Sequence, residues 1–400
     1  MKLNVAVIFG GRSVEHEISI ISALQAMAAI DQEKYKITPI YISKIGEWYT
    51  GKELLILENY RDLDQLLNKS KKIIVDQNSG RWKIYHKISK IFGGIKTIPI
   101  DLVLPIMHGT YGEDGTLQGL LNTMNIPYVG CDTLASATTM DKVATKMLLQ
   151  AMDIKVVDYL WFYAAKWLNF KDQVVSAIKN KFTYPLIVKP GNLGSSIGVL
   201  AVQDDNELED AIDLAVSMSQ RFLVEPKITN LREINCAVLG DRDGVEVSIC
   251  EEPIRSAAIL SYQDKYCRGA KGKLGIKGSV KGLTPKDLTR GGINEAQRKM
   301  PADITESIAE YIQELAKRAF IGLDCNGVAR IDFLMDQSNH EIYLCELNAI
   351  PGSLAFYLWE PMGKTFTDLL NRLFELALKR HRENNNLIVS YTKNILNPSH

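Results

Sequence analysis

The sequence predicts an α/β protein of two or three domains, and three observations carry that expectation. Its 400 residues, 46% of them hydrophobic, exceed what a single core usually organises. The chain opens on an apolar strand, Leu3 to Phe9, a tight turn, Gly10-Gly11-Arg12-Ser13, and a helix whose apolar spacing runs from Ile18 to Ile30, the start of a βαβ layer. Near the other end, Gly327 to Gly352 reads as two strand-like runs, Ala329 to Asp336 and Glu341 to Leu347, about a polar turn at Gln337 to His340.

Composition narrows the partners. Lys+Arg and Asp+Glu both number 47, so a neutral chain offers no global attraction to nucleic acid or an anionic membrane. The cysteines at 131, 236, 250, 267, 325 and 345 form neither a CxxC pair nor a Cys/His metal spacing, as expected of a reduced, cytoplasmic chain. MKLNVAVIFGG suits a first buried strand better than a signal peptide, and no apolar run reaches membrane-spanning length.

The first turn lacks G-x-G-x-x-G, which argues against a nicotinamide oxidoreductase. Glu15-His16-Glu17 follows it at the carboxyl end of a strand, where open α/β sheets place ligands, although a surface loop also holds such residues. Strands are expected at Tyr35 to Ile42 and Asp101 to Met107; the pattern between them orders no elements. His108 begins HGTYGEDGTLQG, in which two glycine turns bracket Glu113 and Asp114, either a substrate loop or an ordinary connection to a helix from Thr116. A short strand at Tyr128 to Cys131 closes the first domain. One helical pattern from Leu134 through Ala151, holding Lys142, opens the next.

At 184–199, YPLIVKPGNLGSSIGV is a strand ending in Lys189 and a glycine-rich loop. Its backbone N–H groups, with the Ser195 and Ser196 hydroxyls, can surround an anion. This is not the Walker order, in which lysine follows the glycines. Phe222 to Glu225 is another short strand and Pro226-Lys227-Ile228 a connector able to line an adenine slot, with Glu225 and Glu233 as nearby carboxylates or surface acids. The basic, glycine-rich tract after Tyr266, with Arg268, Lys271 and Lys273 among its cations, could meet nucleic acid or stay solvated. Overall neutrality and the lack of interleaved aromatics favour a lid over phosphate. A helix from Thr305 stops at Gly322, another spans Thr365 to His381, and a tail follows.

The hairpin carries the chemistry. Asp332 falls nearly opposite Glu346, Glu346 and Asn348 point the same way, and a bulge or one residue of register aligns Asp332 with them. Two carboxylates and an amide are the hard oxygen ligands with which Mg²⁺ is held when substrate phosphates complete its octahedron. The alternative is a solvated open face. Arg330, two positions before Asp332, shares that face and could hold phosphate oxygens.

These motifs together resemble the D-alanine:D-alanine ligases of the ATP-grasp group. The matching stretches are GGRSVEHEIS (10–19), HGTYGEDGTLQG (108–119), MDKVATK (140–146), VKPGNLGSSIGV (188–199), the Glu233 region, DKY (264–266), GVARIDF (327–333) and ELNAIPG (346–352). The resemblance implies an N-terminal Rossmann-like domain over 1–133, a central one over 134–228 and a C-terminal one over 229–385. It further implies ATP held between the last two, a lid at about 260–300 and a tail over 386–400.

It implies a two-step reaction on ATP and D-alanine with Mg²⁺, one ion or two, for which Mn²⁺ can substitute, and a homodimer. Residue by residue, Lys142, Lys189 and Lys265 would contact phosphates, Glu225, Lys227 and Glu233 adenosine, and Asp332, Glu346 and Asn348 the metal. Glu15 would hold the first substrate's ammonium with His108 and Glu113 nearby, Ser195 and Tyr266 would link to Glu15, and Arg330 would stabilise developing charge. Two departures stand out. Tyr357-Leu358 occupies the place of the family's serine-leucine pair for the second substrate's carboxylate, and the segment after Tyr266 is longer and more basic than the family leads one to expect. Both bear on the second substrate, since D-serine and D-lactate ligases share the scaffold; Tyr266 argues against D-lactate.

Overall fold

A computed structural model describes residues 2–76, 82–87, 95–254 and 298–388. The first strand, Leu3–Gly10, pairs in parallel with Tyr35–Ile42 and Leu102–Ile106, and two antiparallel strands, Trp48–Thr50 and Lys71–Lys72, bring the sheet to five. Val5 to Phe9 are all buried without alternation, as a parallel strand covered on both faces requires. The helix His16–Ala29 is tied to the strand ends by Ser19, whose Oγ accepts the Gly10 N–H at 2.7 Å and donates to the Ile106 carbonyl. That tie delivers Glu15 to the carboxyl edge of the sheet. The stretch that sequence pattern left unordered adds the helix Leu63–Lys69 and a three-stranded antiparallel sheet, Ile74–Asp76, Trp82–Lys87 and Ile95–Ile100. In place of the expected strand at Tyr128 to Cys131 there is an isolated parallel bridge between Tyr128 and Val103.

The helix expected over Leu134 to Ala151 is two, Thr133–Met140 and Lys142–Ala151. Asp141 breaks it. Its backbone is extended, its Oδ1 accepts the Ala144 N–H at 2.8 Å, and its Oδ2 pairs with Arg221, so a capping side chain restarts the helix where apolar spacing shows no interruption. The break places Lys142 at a helix start.

Four antiparallel strands form the central sheet, in the order Leu200–Val202, Leu186–Pro190, Arg221–Pro226, Leu160–Tyr163, over a core of their own that includes Trp167, Val174, Leu208 and Phe222. The C-terminal sheet runs Gly244–Val247, Leu231–Asp241, Gly327–Asp336, Glu341–Asn348, also antiparallel. From Ala329 onward its third strand alternates. Ala329, Ile331, Phe333 and Met335 pack in one core with residues of the helix Glu306–Gly322, which leaves Arg330, Asp332 and Leu334 on the open face.

The helix Phe366–Asn385, started by a Thr365/Asp368 capping box, then crosses back to the first domain. Leu369, Leu370, Leu373 and Phe374 share one core with Val5, Val7 and Phe9, and Phe374 meets the Tyr35 ring edge-on at 4.8 Å. The N- and C-terminal sheets are therefore fused through a common core, while the central sheet stands on its own. Among the described residues no helix is long and apolar enough to cross a membrane.

Candidate active site

Asp332 pairs directly with Glu346 and Arg330 with Asn348, and the ladder shifts register between Asp332 and Phe333. Cross-strand partners share a face, so the four side chains project together. Arg330 grips Asp332 with a two-pronged bond, Nε to Oδ1 and Nη2 to Oδ2, both 2.7 Å, and Asn348 Nδ2 donates to Asp332 Oδ2 at 3.3 Å. Burial works against the charge of Arg330, but the adjacent Asp332 carboxylate outweighs it, so the guanidinium's pKa is raised and it stays charged. Among the described residues no group of three or more His, Cys, Asp or Glu is arranged to hold a metal. Two carboxylates and an amide on one face instead fit a hard cation that takes its remaining ligands from phosphate and water.

On the central sheet, Lys189 ends the strand Leu186–Pro190, with Glu225 on the neighbouring strand. Glu225 is buried between two lysines: Lys189 Nζ lies 2.5 Å from Oε2 and Lys146 Nζ 2.7 Å from Oε1. Burial alone would raise the pKa of Glu225, yet the two ammonium groups hold it below the usual carboxylate range. For Lys189 the pull of Glu225 overcomes burial and raises the pKa, whereas burial wins at Lys146 and lowers it. One carboxylate shared by two lysines leaves a net positive charge at the wall. The Glu225 carboxylate, expected beside adenosine, is thus engaged with Lys146 and Lys189. Lys227 and Glu233 line the same cavity, next to Pro226 and Ile228.

The glycine-rich loop ties this wall to the first domain. Lys142 Nζ donates to the Leu193 carbonyl, and the Ser195 hydroxyl donates to Glu15. Ser195 and Ser196 both have left-handed backbone, φ 53° and 58°. A side chain at Gly194 would bring its Cβ to 2.8 Å from Glu15 Oε2, and one at Gly109 to 2.6 Å, so glycine is what lets two backbones close around that carboxylate.

Across the cavity, Glu15 and Glu113 are both buried. Glu113 accepts the Gly109 N–H at 2.8 Å and the Ile350 N–H at 3.0 Å, but burial, and then the charge of Glu15, push its pKa up to about 8. Burial holds His108 down at about 4, a neutral imidazole at pH 7, with Nε2 2.9 Å from Ser22 Oγ. Ser22 Oγ also accepts the Ser353 N–H at 3.1 Å, and the Ser353 hydroxyl donates to Gln25. These bonds anchor a left-handed turn at Ser353, Leu354 and Ala355, φ 51°, 53° and 51°, a conformation that costs L-residues roughly 1–2 kcal/mol each. Beyond the turn, the Tyr357 hydroxyl donates to Glu251 at 3.0 Å. Leu358, expected to line a substrate pocket, is fully buried in the core and is not part of the cavity wall.

All these faces meet in one cavity of about 750 Å³. Two family models match the chain: D-ala D-ala ligase N-terminus over residues 4–131, and D-ala D-ala ligase C-terminus over 148–290 and 287–375. A D-alanine–D-alanine ligase of Thermosipho melanesiensis is 39% identical over 394 residues, covering 98% of each chain. The chain belongs to the D-alanine–D-alanine ligase family. Among solved structures, the D-alanine-D-alanine ligase of Coxiella burnetii matches with a TM-score of 0.77 at 31% identity over 97% of both chains. The VanG D-Ala:D-Ser ligase of Enterococcus faecalis matches with 0.73 at 31% identity, over 94% of this chain and 100% of that one. The fold class is accordingly ATP-grasp; the N-terminal sheet, expected to be parallel throughout, is mixed, three parallel strands with two antiparallel ones at one edge.

Within this ligase scaffold, Lys265, Tyr266, the basic tract after them and the tail from residue 389 lie outside the described residues. The other expected site residues line the cavity, Leu358 excepted. Sequence reasoning did not single out Lys146, Ser22, Gln25, Glu251, Arg298 or Ser353. For Lys146 a signal existed, since it lies four residues after Lys142 and so shares its helix face. For Glu251 and Arg298 there was none, because 46 residues separate them and only the fold joins them.

Proposed function

We propose that the protein joins two D-alanines at the expense of ATP, giving D-alanyl-D-alanine, ADP and phosphate for peptidoglycan precursor synthesis in the cytoplasm. The observation that carries this reading is the convergence, on one cavity, of a net-positive wall, a set of oxygen ligands and a pair of buried carboxylates. In this reading adenosine lies along Pro226 to Ile228 with Lys227 and Glu233. The triphosphate meets Lys142, Lys189 and the loop holding Ser195 and Ser196, with Lys146 buried behind Glu225. Asp332, Glu346 and Asn348 would hold Mg²⁺, one ion or two, with Mn²⁺ as a substitute; it would offset charge on the transferring phosphoryl group.

Glu15, with Glu113 behind it, receives the ammonium of the first D-alanine and leaves that substrate's carboxylate toward Arg330. A carboxylate oxygen attacks the γ-phosphorus, the bond to the β–γ bridging oxygen breaks, and ADP leaves with the electron pair. The amine of the second D-alanine, after losing a proton, attacks the acyl carbon. Collapse of the tetrahedral intermediate forms the amide and expels phosphate. Arg330, fixed in plane by the two hydrogen bonds it donates to Asp332, is preorganised to meet negative charge in both steps. A homodimer, to be checked by sedimentation, is part of the same reading.

A second reading keeps the chemistry and changes the acceptor to D-serine or D-lactate. Tyr357, in place of the family's serine, favours holding it open. Phosphate release from ATP and Mg²⁺ with D-alanine, alone and with D-serine or D-lactate added, separates the two when products are identified by mass. D-alanyl-D-alanine as main product is expected; a mixed dipeptide or depsipeptide from the additions selects the second reading, and no D-alanine-dependent turnover removes both.

A further inference from the structure

Besides Arg330, the cavity wall on this side includes a second guanidinium, from a residue that no motif contains. Arg298 starts the two-residue strand Arg298–Lys299, paired with Glu252–Pro253. Glu251, just before that partner strand, exchanges backbone hydrogen bonds with Asn235 at 2.9 and 2.8 Å, which fixes its direction. Its buried carboxylate accepts the Tyr357 hydroxyl at Oε1, 3.0 Å, and Arg298 Nη1 at Oε2, 3.2 Å. Arg298 also lies over the face of the Tyr357 ring, its guanidinium carbon 4.0 Å from the ring centroid. Glu252 does not compete for it, being held by two bonds from Arg232 at 2.8 and 2.6 Å.

This arrangement decides which groups are free to meet a ligand. Tyr357's hydroxyl is spent on Glu251, and Leu358 is in the core, so neither side chain can receive a carboxylate. Arg330 spends its Nε and one Nη2 hydrogen on Asp332, and in the ligase reading its remaining N–H groups serve the first substrate's carboxylate. Arg298 gives Glu251 one of its five N–H donors, and its contact with the Tyr357 ring restrains the guanidinium that carries the rest, a planar fork suited to bidentate carboxylate recognition.

We propose that Arg298, oriented by Glu251 and Tyr357, binds the unreactive carboxylate of the acceptor amino acid and so sets the specificity of the second half-reaction. The inference rests on the ligase reading. It replaces the small hydroxyl expected of the family by a stacked guanidinium, and it makes a free carboxylate, more than the acceptor's side chain, the feature selected. Glu251 and Tyr357 are positioning residues.

The test offers D-alanine as donor together with equal D-alanine and D-alaninamide as acceptors, and measures the ratio of the two dipeptide products by mass. D-Alaninamide has the same amine and methyl but no carboxylate. Wild type is expected to favour D-alanine strongly. Arg298→Gln is expected to lose about tenfold to hundredfold of that preference, the range for a hydrogen bond to a charged group, with the KM for ATP unchanged. Trapping D-alanyl phosphate with hydroxylamine should show the first half-reaction intact. Arg298→Lys, which keeps charge without the fork, should fall between, and Tyr357→Phe, which keeps the stacking ring, should lose less.

If Arg298→Gln and Arg298→Lys slow both acceptors equally and keep the wild-type ratio, Arg298 is structural and the proposal is overturned. Should wild type form neither dipeptide nor hydroxamate, the ligase reading fails and takes this one with it; hydroxamate without any preference for D-alanine overturns only the proposal about Arg298.

Discussion

The two walls of the cavity treat buried charge in opposite ways. On the central-sheet wall, Lys146 and Lys189 share Glu225, so most of the charge is settled within the protein, and in the proposed reading the remaining positive charge meets phosphate. On the first-domain wall, Glu15 and Glu113 lie together beside a neutral His108, and the strain shows as a carboxyl whose pKa is pushed up to about 8. The first wall is complete before its ligand arrives. In the proposed reading, the second is the wall that meets a substrate cation, the ammonium of an amino acid. The contrast teaches two ways of burying a carboxyl: one is kept ionised by the two ammonium groups beside it, the other keeps its proton because burial and a neighbouring carboxylate disfavour its charge, and a cation arriving there would favour the ionised form.

The largest effect belongs to the face that faces both walls. Asp332→Asn or Glu346→Gln is expected to lower turnover about a thousandfold, the scale for removing preorganised stabilisation of a transferring group, with far-ultraviolet dichroism unchanged. Normal activity in either variant would sink the metal assignment.

How much of this was legible in advance depends on the same division between local and distant. The hairpin could be read because its turn, its alternation and its acids lie within 26 residues, and the register Asp332 to Glu346 is set by the turn. The loop after Lys189 could be read because glycine spacing reports backbone directly. The fate of Glu225 could not: a buried glutamate in VEP gives no hint that two lysines, one on a helix far upstream, will claim both its oxygens. Asp141 was hidden for a different reason. Capping depends on one side chain's rotamer, whereas the apolar period runs on through it. Leu358 was misplaced because a left-handed turn at 353–355 rotates the chain beyond it, and three such residues in a row have no sequence signature.

Next in size is the completed wall. Glu225→Ala leaves two buried ammonium groups facing one another and should cost about 3 kcal/mol of unfolding free energy, the low end for breaking a buried pair. Urea unfolding measures it. Added ATP should recover part of the loss, because phosphate can replace the missing carboxylate. Equal destabilisation with and without nucleotide would mean that this wall is a structural cluster only.

The incomplete wall should respond to pH. Glu113 has a folded pKa of about 8 against 4.5 unfolded, so the native state holds the proton more tightly. Its contribution to stability is therefore present below pH 4.5 and is lost as pH rises toward 8, with a slope of at most about 1.4 kcal/mol per pH unit. Glu113→Gln removes the titration: the variant should unfold with a flatter pH profile over that window and gain on wild type as pH rises, while binding D-alanine less well. A profile parallel to wild type would show that the carboxyl is ionised throughout.

The smallest effect concerns the bond that joins the walls. Ser195 does two things at once: its hydroxyl donates to Glu15, and its backbone holds a left-handed turn with φ 53°. Substitutions separate them. Ser195→Ala removes the hydroxyl, keeps the backbone cost and should reduce turnover about tenfold, or about 1.4 kcal/mol. Ser195→Gly removes the hydroxyl and relieves the backbone. Ser195→Thr keeps a hydroxyl but puts a β-branched residue where φ is positive. If the link to Glu15 is what matters, Ala and Gly fall together. If the turn matters, Gly stays near wild type and Thr falls furthest, and the loop would then serve ATP alone, leaving the two walls chemically independent.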